Sequence, residues 1–500
     1  MLTGFLSDIA GTFSLWNLAA LILGTAWGIF AGALPGVTGS IGVALLLPLT
    51  FGMQPESAII LLCASYCGSM FGGSISTILM GAPGTASAAA TLLDGRELAK
   101  QKKAGLGVGV ALVASTFGGI IGAVILICFC TPLSRLALLF GPPEYFTLGL
   151  FGLTIISSLS KNTVKGFIAG IFGMMLATVG LDRFTGLPRY TFGIPDLLSG
   201  IEFLPALIGL FALSEMLQQI SDVNEDAPAA FDKVETARLP GMALVKRLWK
   251  SITLGGVIGT VIGIMPGAGG NIASWLAYSQ ARKYSRTPEE FGKGSLEGIA
   301  APEAANSASE GGSLVPTLAL GIPGSNTTAI LLGALSLQGL TPGPTLFVEH
   351  PEVVFSVYGT VFIANFVVLF LGYLLIRPVC KLSVVPTPYV VTCVCLLVCT
   401  AAYAIQNSVF DIKIALVFGL VGLFMKCFGF PVAATVLGMI LGPIIEPALQ
   451  RSLLLSHGSY TIFVTRPLAC GILLLTMFSF LSPIVAAAYR NFKKNAGGVQ

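Results

Sequence analysis

Four short segments carry the residues that could do chemistry: Leu34-Pro-Gly-Val-Thr-Gly-Ser40, Gly81-Ala-Pro-Gly-Thr-Ala-Ser87, Met265-Pro-Gly-Ala-Gly-Gly-Asn271 and Gly321-Ile-Pro-Gly-Ser-Asn-Thr-Thr328. In each, a Pro-Gly pair interrupts apolar sequence and small or polar residues follow. Proline removes an amide donor and glycine frees the backbone, so a helix breaks there and leaves amides and carbonyls unpaired. Lipid cannot satisfy such groups; they persist only where protein or a polar cavity does. Amides at a fresh helix N-terminus then attract an anion, and freed carbonyls hold a cation. For one isolated tip a plain kink with a hydroxyl cap is the stronger reading. Four tips in two matched pairs reverse that weight.

Among the tips, Ser325, Asn326, Thr327 and Thr328 are the richest in donors, so they and Pro323 and Gly324 are expected to bind an anionic substrate, together with Pro83, Gly84, Thr85 and Ser87. The other pair, Pro35, Gly36, Thr38 and Ser40 with Pro266, Gly267 and Asn271, suits a hard monovalent cation such as sodium, held by carbonyls and one side-chain oxygen. The run Glu297 to Gly312 is unusually polar for a piece between membrane elements. Its Glu303, Asn306 and Glu310 are candidates for a cation site or proton relay, the acids being possible coupling groups. The competing reading lays this run at the interface with both acids solvated. Glu215 and Glu446, on apolar spans, are weaker candidates of the same kind.

Enzymatic chemistry finds no footing. The two histidines, His350 and His457, fall in loops, so an intramembrane Ser–His pair is not available. Phe291-Gly-Lys-Gly-Ser295 lacks the glycine spacing of a phosphate-binding loop, which argues against ATP-driven work by this chain. Nine of the cysteines, Cys63, Cys67, Cys128, Cys130, Cys393, Cys395, Cys399, Cys427 and Cys470, sit in apolar runs without metal-ligand spacing and read as packing residues. No cofactor is expected beyond a co-transported ion.

The elements that must position these tips are dictated by composition. Of 500 residues, 54% are hydrophobic and 10% charged, against roughly 25% charged in a soluble domain. The 61 Gly and 28 Pro are scattered through apolar sequence, which excludes disorder and collagen-like structure. A net charge of +4, mostly in short loops, leaves no footprint for nucleic acid. The chain is expected to be an all-α polytopic membrane protein of about 11 spans plus re-entrant hairpins. Apolar runs at 104–130, 145–160, 163–181, 200–220, 353–376, 386–405, 412–428, 430–446 and 467–489 supply nine spans, and the interrupted regions 15–93 and 251–338 the rest. Met1 to Ser14 lacks the basic residues of a cleaved signal, so the first apolar segment is expected to be retained.

The two interrupted regions resemble each other. Gly28 to Gly39 aligns without a gap on Gly259 to Gly270, and Gly81 to Ser87 on Gly321 to Thr327, at offsets of 231 and 240. Lys and Arg mark cytoplasmic loops, and they exchange places between the copies. Phe51 to Ser57 has no cation, whereas its counterpart holds Arg282, Lys283, Arg286 and Lys293; Arg96, Lys100, Lys102 and Lys103 follow the second tip of the first copy, whereas Gly339 to Glu352 has no Lys or Arg. Matching loops therefore face opposite sides: an inverted repeat with broken helices, the build of a secondary transporter. The expected organisation is repeat one at 1–220, a cytoplasmic connector at 221–250, repeat two at 251–446, and a final span with a cytoplasmic tail at 447–500. Arg183, Arg189, Arg451 and Arg466 fall on the outer side and break the charge rule.

Over nearly its whole length the chain resembles the TctA family, the large membrane subunits of bacterial tripartite tricarboxylate transporters. The resemblance rests on Ala33-Leu-Pro-Gly-Val-Thr-Gly39, Gly81-Ala-Pro-Gly-Thr-Ala86 before Asp94-Gly95, Ile264-Met-Pro-Gly-Ala-Gly-Gly270, Ala301-Pro-Glu-Ala-Ala-Asn-Ser-Ala308 and Gly321-Ile-Pro-Gly-Ser325. It implies a multi-pass importer of the bacterial cytoplasmic (inner) membrane that works with a small membrane subunit (TctB-like) and a periplasmic solute-binding protein (TctC-like). It implies a carboxylate substrate such as citrate and an ion gradient, usually sodium. The alternatives are a stand-alone proton-coupled carboxylate permease and, from another class, a gated channel; the oligomeric state is left open, a homo-oligomer included.

Overall fold

The computed structural model describes residues 14–34, 37–81, 84–159, 162–182, 184–221, 238–266, 269–382, 387–478 and 480. Most of the expected connector, residues 222–237, lies outside them, as do Pro35, Gly36, Pro83, Arg183 and Gly267. The first interrupted region forms α1 (Leu15–Ala33), α2 (Gly39–Leu46) and α3 (Pro55–Met80), then a 3-10 turn at Ala86–Ala90 and α4 (Leu92–Lys100). Next come α5 (Ala104–Ala137), α6 (Pro142–Leu159), α7 (Thr163–Ala177), the two-residue antiparallel pair β1 (Gly180–Leu181) and β2 (Pro188–Arg189), α8 (Phe203–Ile208), a π-helical turn and α9 (Ser214–Ser221). The second interrupted region forms α10 (Met242–Ile264), α11 (Gly269–Tyr284), α12 (Leu296–Leu320) and α13 (Asn326–Leu337). The rest is α14 (Leu346–Glu349), α15 (Pro351–Leu382), α16 (Thr387–Gln406), α17 (Val409–Cys427), α18 (Val432–Leu455), α19 (Ile462–Thr465) and α20 (Pro467–Phe478).

Among the described residues six helices are long and apolar enough to cross a membrane: Leu15–Ala33, Pro55–Leu79, Ala104–Ala137, Phe203–Ile220, Pro351–Val379 and Val432–Leu455. This is an all-helical polytopic membrane protein. The apolar run at 163–181 stops being helical at Ala177, because Gly180 takes a left-handed φ of 118° and turns the chain into β1. Residues 242–250 of the expected connector are the first turns of α10.

The chain divides into two bodies, residues 1–135 with 204–423, and residues 136–203 with 424–500. In the first, α1 packs along α3 and α10 along α12, each through a glycine seam. Added Cβ atoms on Gly24, Gly28 and Gly32 would fall 2.3, 2.1 and 2.4 Å from the carbonyl oxygens of Leu61, Ser65 and Ser69. On Gly255, Gly259 and Gly263 they would fall 2.2, 2.2 and 2.5 Å from those of Ala301, Ala305 and Ser309. The glycines recur at an offset of 231 and the carbonyls at 240, the offsets of the sequence repeat. Small residues every fourth position let two backbones meet without side chains between them, the packing mode that lipid solvation favours.

In the second body α18 packs on α6 and α7, with Gly173 and Gly438 at the closest approach. Two of the arginines that break the charge rule are ion-paired here. Arg189 meets Glu446 at 2.6 Å and Asp182 at 3.3 Å, and Arg466 meets Glu144 at 3.0 Å. Backbone amides of Thr185 and Phe184 hold the Asp182 carboxyl below its usual range.

Candidate functional site

Helices α3 and α12 end alike. Each stops at a glycine in the left-handed region, Gly81 at φ 69°, ψ 17° and Gly321 at φ 69°, ψ 21°, a cap that costs other residues steric strain. Inside them the same hydroxyl bonds recur 240 positions apart. Ser69 donates to the carbonyl of Tyr66 at 2.8 Å and Ser309 to that of Asn306 at 2.7 Å; Thr77 donates to Gly73 and Thr317 to Ser313. The exits differ. In the second region Ser325 caps α13, with Ser325 and Thr328 bonding each other's amides reciprocally. In the first region Thr85 makes no side-chain cap bond, pairs with Ser87 at 3.1 Å, and a 3-10 turn follows.

The tips meet crosswise. The first tip of the first region touches the second tip of the second, where Ser40 and Thr327 hydroxyls lie 2.9 Å apart and α2 packs on α13. The first tip of the second region touches the second tip of the first: α11 packs on the 3-10 turn, and a Cβ on Gly270 would lie 3.1 Å from Ser87 Cβ. Under the repeat offsets Ser40 corresponds to Asn271 and Thr327 to Ser87, so equivalent tips are packed together in both places with the halves exchanged. In the first cluster the Tyr66 hydroxyl bridges Ser325 at 3.1 Å and Ser313 at 3.3 Å. In the second, Asn306 stands where Tyr66 stands; its amide nitrogen donates to the Met70 carbonyl at 3.2 Å and its oxygen has no partner.

From Gly298 to Ala319 α12 is buried, so the reading that laid Glu303 and Glu310 at a solvated interface does not hold. Glu303 accepts from the hydroxyls of Ser74, Thr91 (2.5 Å) and Ser115 (3.3 Å). Glu310 accepts from the Cys67 thiol at 2.6 Å. A buried carboxylate with so few donors needs a proton or a cation beside it.

Residues 18–437 match the Tripartite tricarboxylate transporter TctA family. The chain belongs to the TctA family. A relative described as an uncharacterized 52.8 kDa protein in the TAR-I ttuC' 3' region of Agrobacterium vitis is 34% identical over 475 residues, 94% of this chain and 93% of its own. A second, in the TAR-II ttuC' 3' region of the same organism, is 35% identical over 215 residues, 43% of this chain and 89% of its own. No solved structure matches. The chain is thus the membrane component of a tricarboxylate transporter family, not a member of an enzyme family.

For this TctA-family chain the described tip residues expected from the sequence fall in the two clusters; Pro35, Gly36, Pro83 and Gly267 lie outside the described residues. Substrate and cation candidates share each cluster: Thr38 and Ser40 lie with Ser325–Thr328, whereas Thr85 and Ser87 lie with the start of α11. Thr85, Ser87, Thr327, Thr328, Gly84, Pro323, Gly324 and Pro266 are buried; Thr38, Ser40 and Ser325 are half-buried; Asn271 and Asn326 are exposed at the first turns of α11 and α13. Three features escaped the sequence reading. One is Tyr66. Another is the glycine seam, whose four-residue spacing was there to be seen. The third is Asp94, fully buried, which accepts the amides of Gly292, Gly294 and Ser295 at 2.8, 2.9 and 2.7 Å and the Tyr278 hydroxyl at 2.9 Å. It holds the chain leading into α12, and so the register of Glu303, Asn306 and Glu310.

Proposed function

We propose that this chain is the large membrane subunit of a binding-protein-dependent carrier that takes up a tricarboxylate such as citrate, or a related carboxylate, on an ion gradient, with sodium as the first candidate. It works in the bacterial inner membrane with a small membrane subunit and a periplasmic solute-binding protein. The interrupted regions belong to two halves of an inverted repeat, 1–220 and 251–446, with 221–250 as a cytoplasmic connector and 447–500 as a final span and cytoplasmic tail. The observation that carries this reading is the crosswise meeting of the tips, because it gathers helix N-termini and hydroxyls from both halves at two equivalent places.

Such groups bind an anion without a cationic side chain in direct contact with it. Each helix N-terminus contributes roughly half a positive charge, and Thr85, Ser87, Ser325, Asn326, Thr327 and Thr328 add neutral donors. Pro83, Gly84, Pro323 and Gly324 set the breaks. Pro35, Gly36, Thr38, Ser40, Pro266, Gly267 and Asn271 supply the oxygens for a coupling cation. Relative motion of the halves would open the clusters to either side.

Burial of Glu303 and Glu310 favours a second reading, coupling to protons through those acids. Uptake by proteoliposomes, with and without sodium, a pH gradient and the binding protein, separates the two. Accumulation of carboxylate against its gradient only when sodium is imposed is the expected result. Accumulation driven by the pH gradient alone would transfer coupling to the acids, and equilibration without accumulation would make the protein a channel.

A further inference from the structure

The two clusters are built on one plan and differ at single side chains, one of which lies inside the helices that lead into the tips. Gly39 faces Ser69 in the first as Gly270 faces Ser309 in the second; added Cβ atoms would fall 2.4 Å and 2.9 Å from the respective hydroxyl oxygens. The position one turn earlier is Tyr66 in the first cluster and Asn306 in the second. The tyrosine hydroxyl reaches across and bonds two serines. The shorter asparagine does not, and its amide oxygen, on a fully buried residue, stays without a donor. That oxygen and Ser309 Oγ both lie 2.9 Å from the point a Gly270 Cβ would occupy, with Ser87 Cβ 3.1 Å from it. Gly270 does not have a left-handed φ, so its glycine is needed for this close approach to the two oxygens and not for its backbone angle.

We infer that a hard monovalent cation, of sodium's size class, binds in front of Gly270 on Asn306 Oδ1 and Ser309 Oγ, with the Ser87 hydroxyl at hand. A buried unpaired acceptor calls for a donor or a cation. The charge beside it selects the cation: Glu303, Asn306 and Glu310 are spaced three and four residues apart, so they share one stripe of α12, and all three bond to α3, at Ser74, Met70 and Cys67. Asn306 therefore lies between two buried acids, and where either is ionised its negative potential favours a positive ion over water. Amide and hydroxyl oxygens suit a monovalent hard ion, since a divalent one draws carboxylates into its shell. For the ion's use in coupling the inference rests on the carrier reading; for its place it rests on geometry alone. It moves the cation from the exposed Asn271 side chain to the buried Asn306.

The test uses the purified full-length protein in detergent, without substrate, melted at constant ionic strength in sodium, potassium, lithium or choline chloride. Sodium should raise the melting temperature with saturation and choline should not, as binding to the folded state requires. Asn306→Leu should raise the half-saturating sodium concentration roughly ten- to hundredfold, the loss of one charge-assisted contact. Gly270→Ala, which fills the space and leaves Asn306 intact, should do likewise, and covers the case in which the leucine variant does not fold. Thr253→Ala, half-buried on α10 with its hydroxyl bonded to its own helix, is the control. Equal melting in all four chlorides would mean that water alone fills the space, and wild-type half-saturation in both variants would move the ion elsewhere; either overturns the inference. The carrier reading fails separately, by a sodium site that titrates as stated in a protein without carboxylate uptake.

Discussion

The second tips of the two regions, at Gly81–Ala88 and Gly321–Thr328, begin with the same left-handed glycine and leave by different routes. Thr328 completes a reciprocal cap with Ser325, and α13 follows for twelve residues. Its counterpart 240 positions earlier is Ala88, which has no hydroxyl to give. The first region therefore lacks the cap, makes a 3-10 turn in place of an α-helix, and leaves Thr85 bonded only to Ser87. One tip uses its hydroxyls to hold its own helix. The other keeps them for something else. Duplicated backbone thus need not mean duplicated chemistry: the way into each tip is set by packing that both copies retain, and the way out by single side chains that each copy has changed.

The largest effect is expected where the tips agree. A Cβ on Gly84 would lie 2.3 Å from Ser76 Oγ and 2.5 Å from the Gly32 carbonyl, and one on Gly324 2.6 Å from both Cα and the carbonyl oxygen of Ser313. Gly84→Ala and Gly324→Ala should each cost about 1–3 kcal/mol or more through overpacking against backbone. Thermal melting of the detergent-purified protein reads this. Loss at one position and tolerance at the other would end the claim that the two Pro-Gly breaks are packed alike.

Next in size is substrate affinity. Asn326 is exposed at the first turn of α13, its amide free of the capping bonds that occupy Ser325 and Thr328. Asn326→Ala removes a donor to a carboxylate, worth roughly 1.5–3 kcal/mol or a 10- to 150-fold weaker apparent affinity. Ser336→Ala, on the same helix but bonded only to its own backbone, should leave affinity nearly unchanged. Binding of citrate followed by calorimetry checks both. Affinity that survives Asn326→Ala would confine recognition to the uncapped tip and sharpen the contrast between the two.

Much of this is legible in the sequence. The tips announce themselves by Pro-Gly pairs in apolar sequence, and the duplication by its offsets, because both depend on local backbone chemistry. The family can be read from the same blocks. The pairing of tips cannot: Ser40 and Thr327 are 287 positions apart, and nothing in either segment names the other. For the same reason the sequence does not reveal that substrate and cation candidates lie together, as Ser40 and Thr327 do. Glu303 and Glu310 read equally well as solvated acids, because a run rich in Ala, Gly and Ser does not reveal that it is enclosed on all sides. Asp94 shows the limit most plainly. Its partners are backbone amides of Gly292, Gly294 and Ser295, which carry no side-chain signal of their role.

The smallest expected effect separates the exits themselves. Thr328→Val keeps the side chain's shape and removes the hydroxyl that accepts the Ser325 amide at 2.9 Å. Loss of such a cap costs about 0.5–2 kcal/mol, so the melting temperature should fall, while half-saturating substrate should rise less than in Asn326→Ala because the Thr328 hydroxyl is already engaged with Ser325. Thr85→Val removes a hydroxyl that caps nothing, and its side chain lies close against Gly73, where valine fits the same space. Stability should hold, and the affinity for substrate or sodium should drop. The two variants therefore predict opposite patterns from one chemical change. A fall in melting temperature for Thr85→Val with affinity intact would show that its hydroxyl is structural after all; a loss of affinity in Thr328→Val as large as in Asn326→Ala, without destabilisation, would show that its hydroxyl serves the ligand and not the cap.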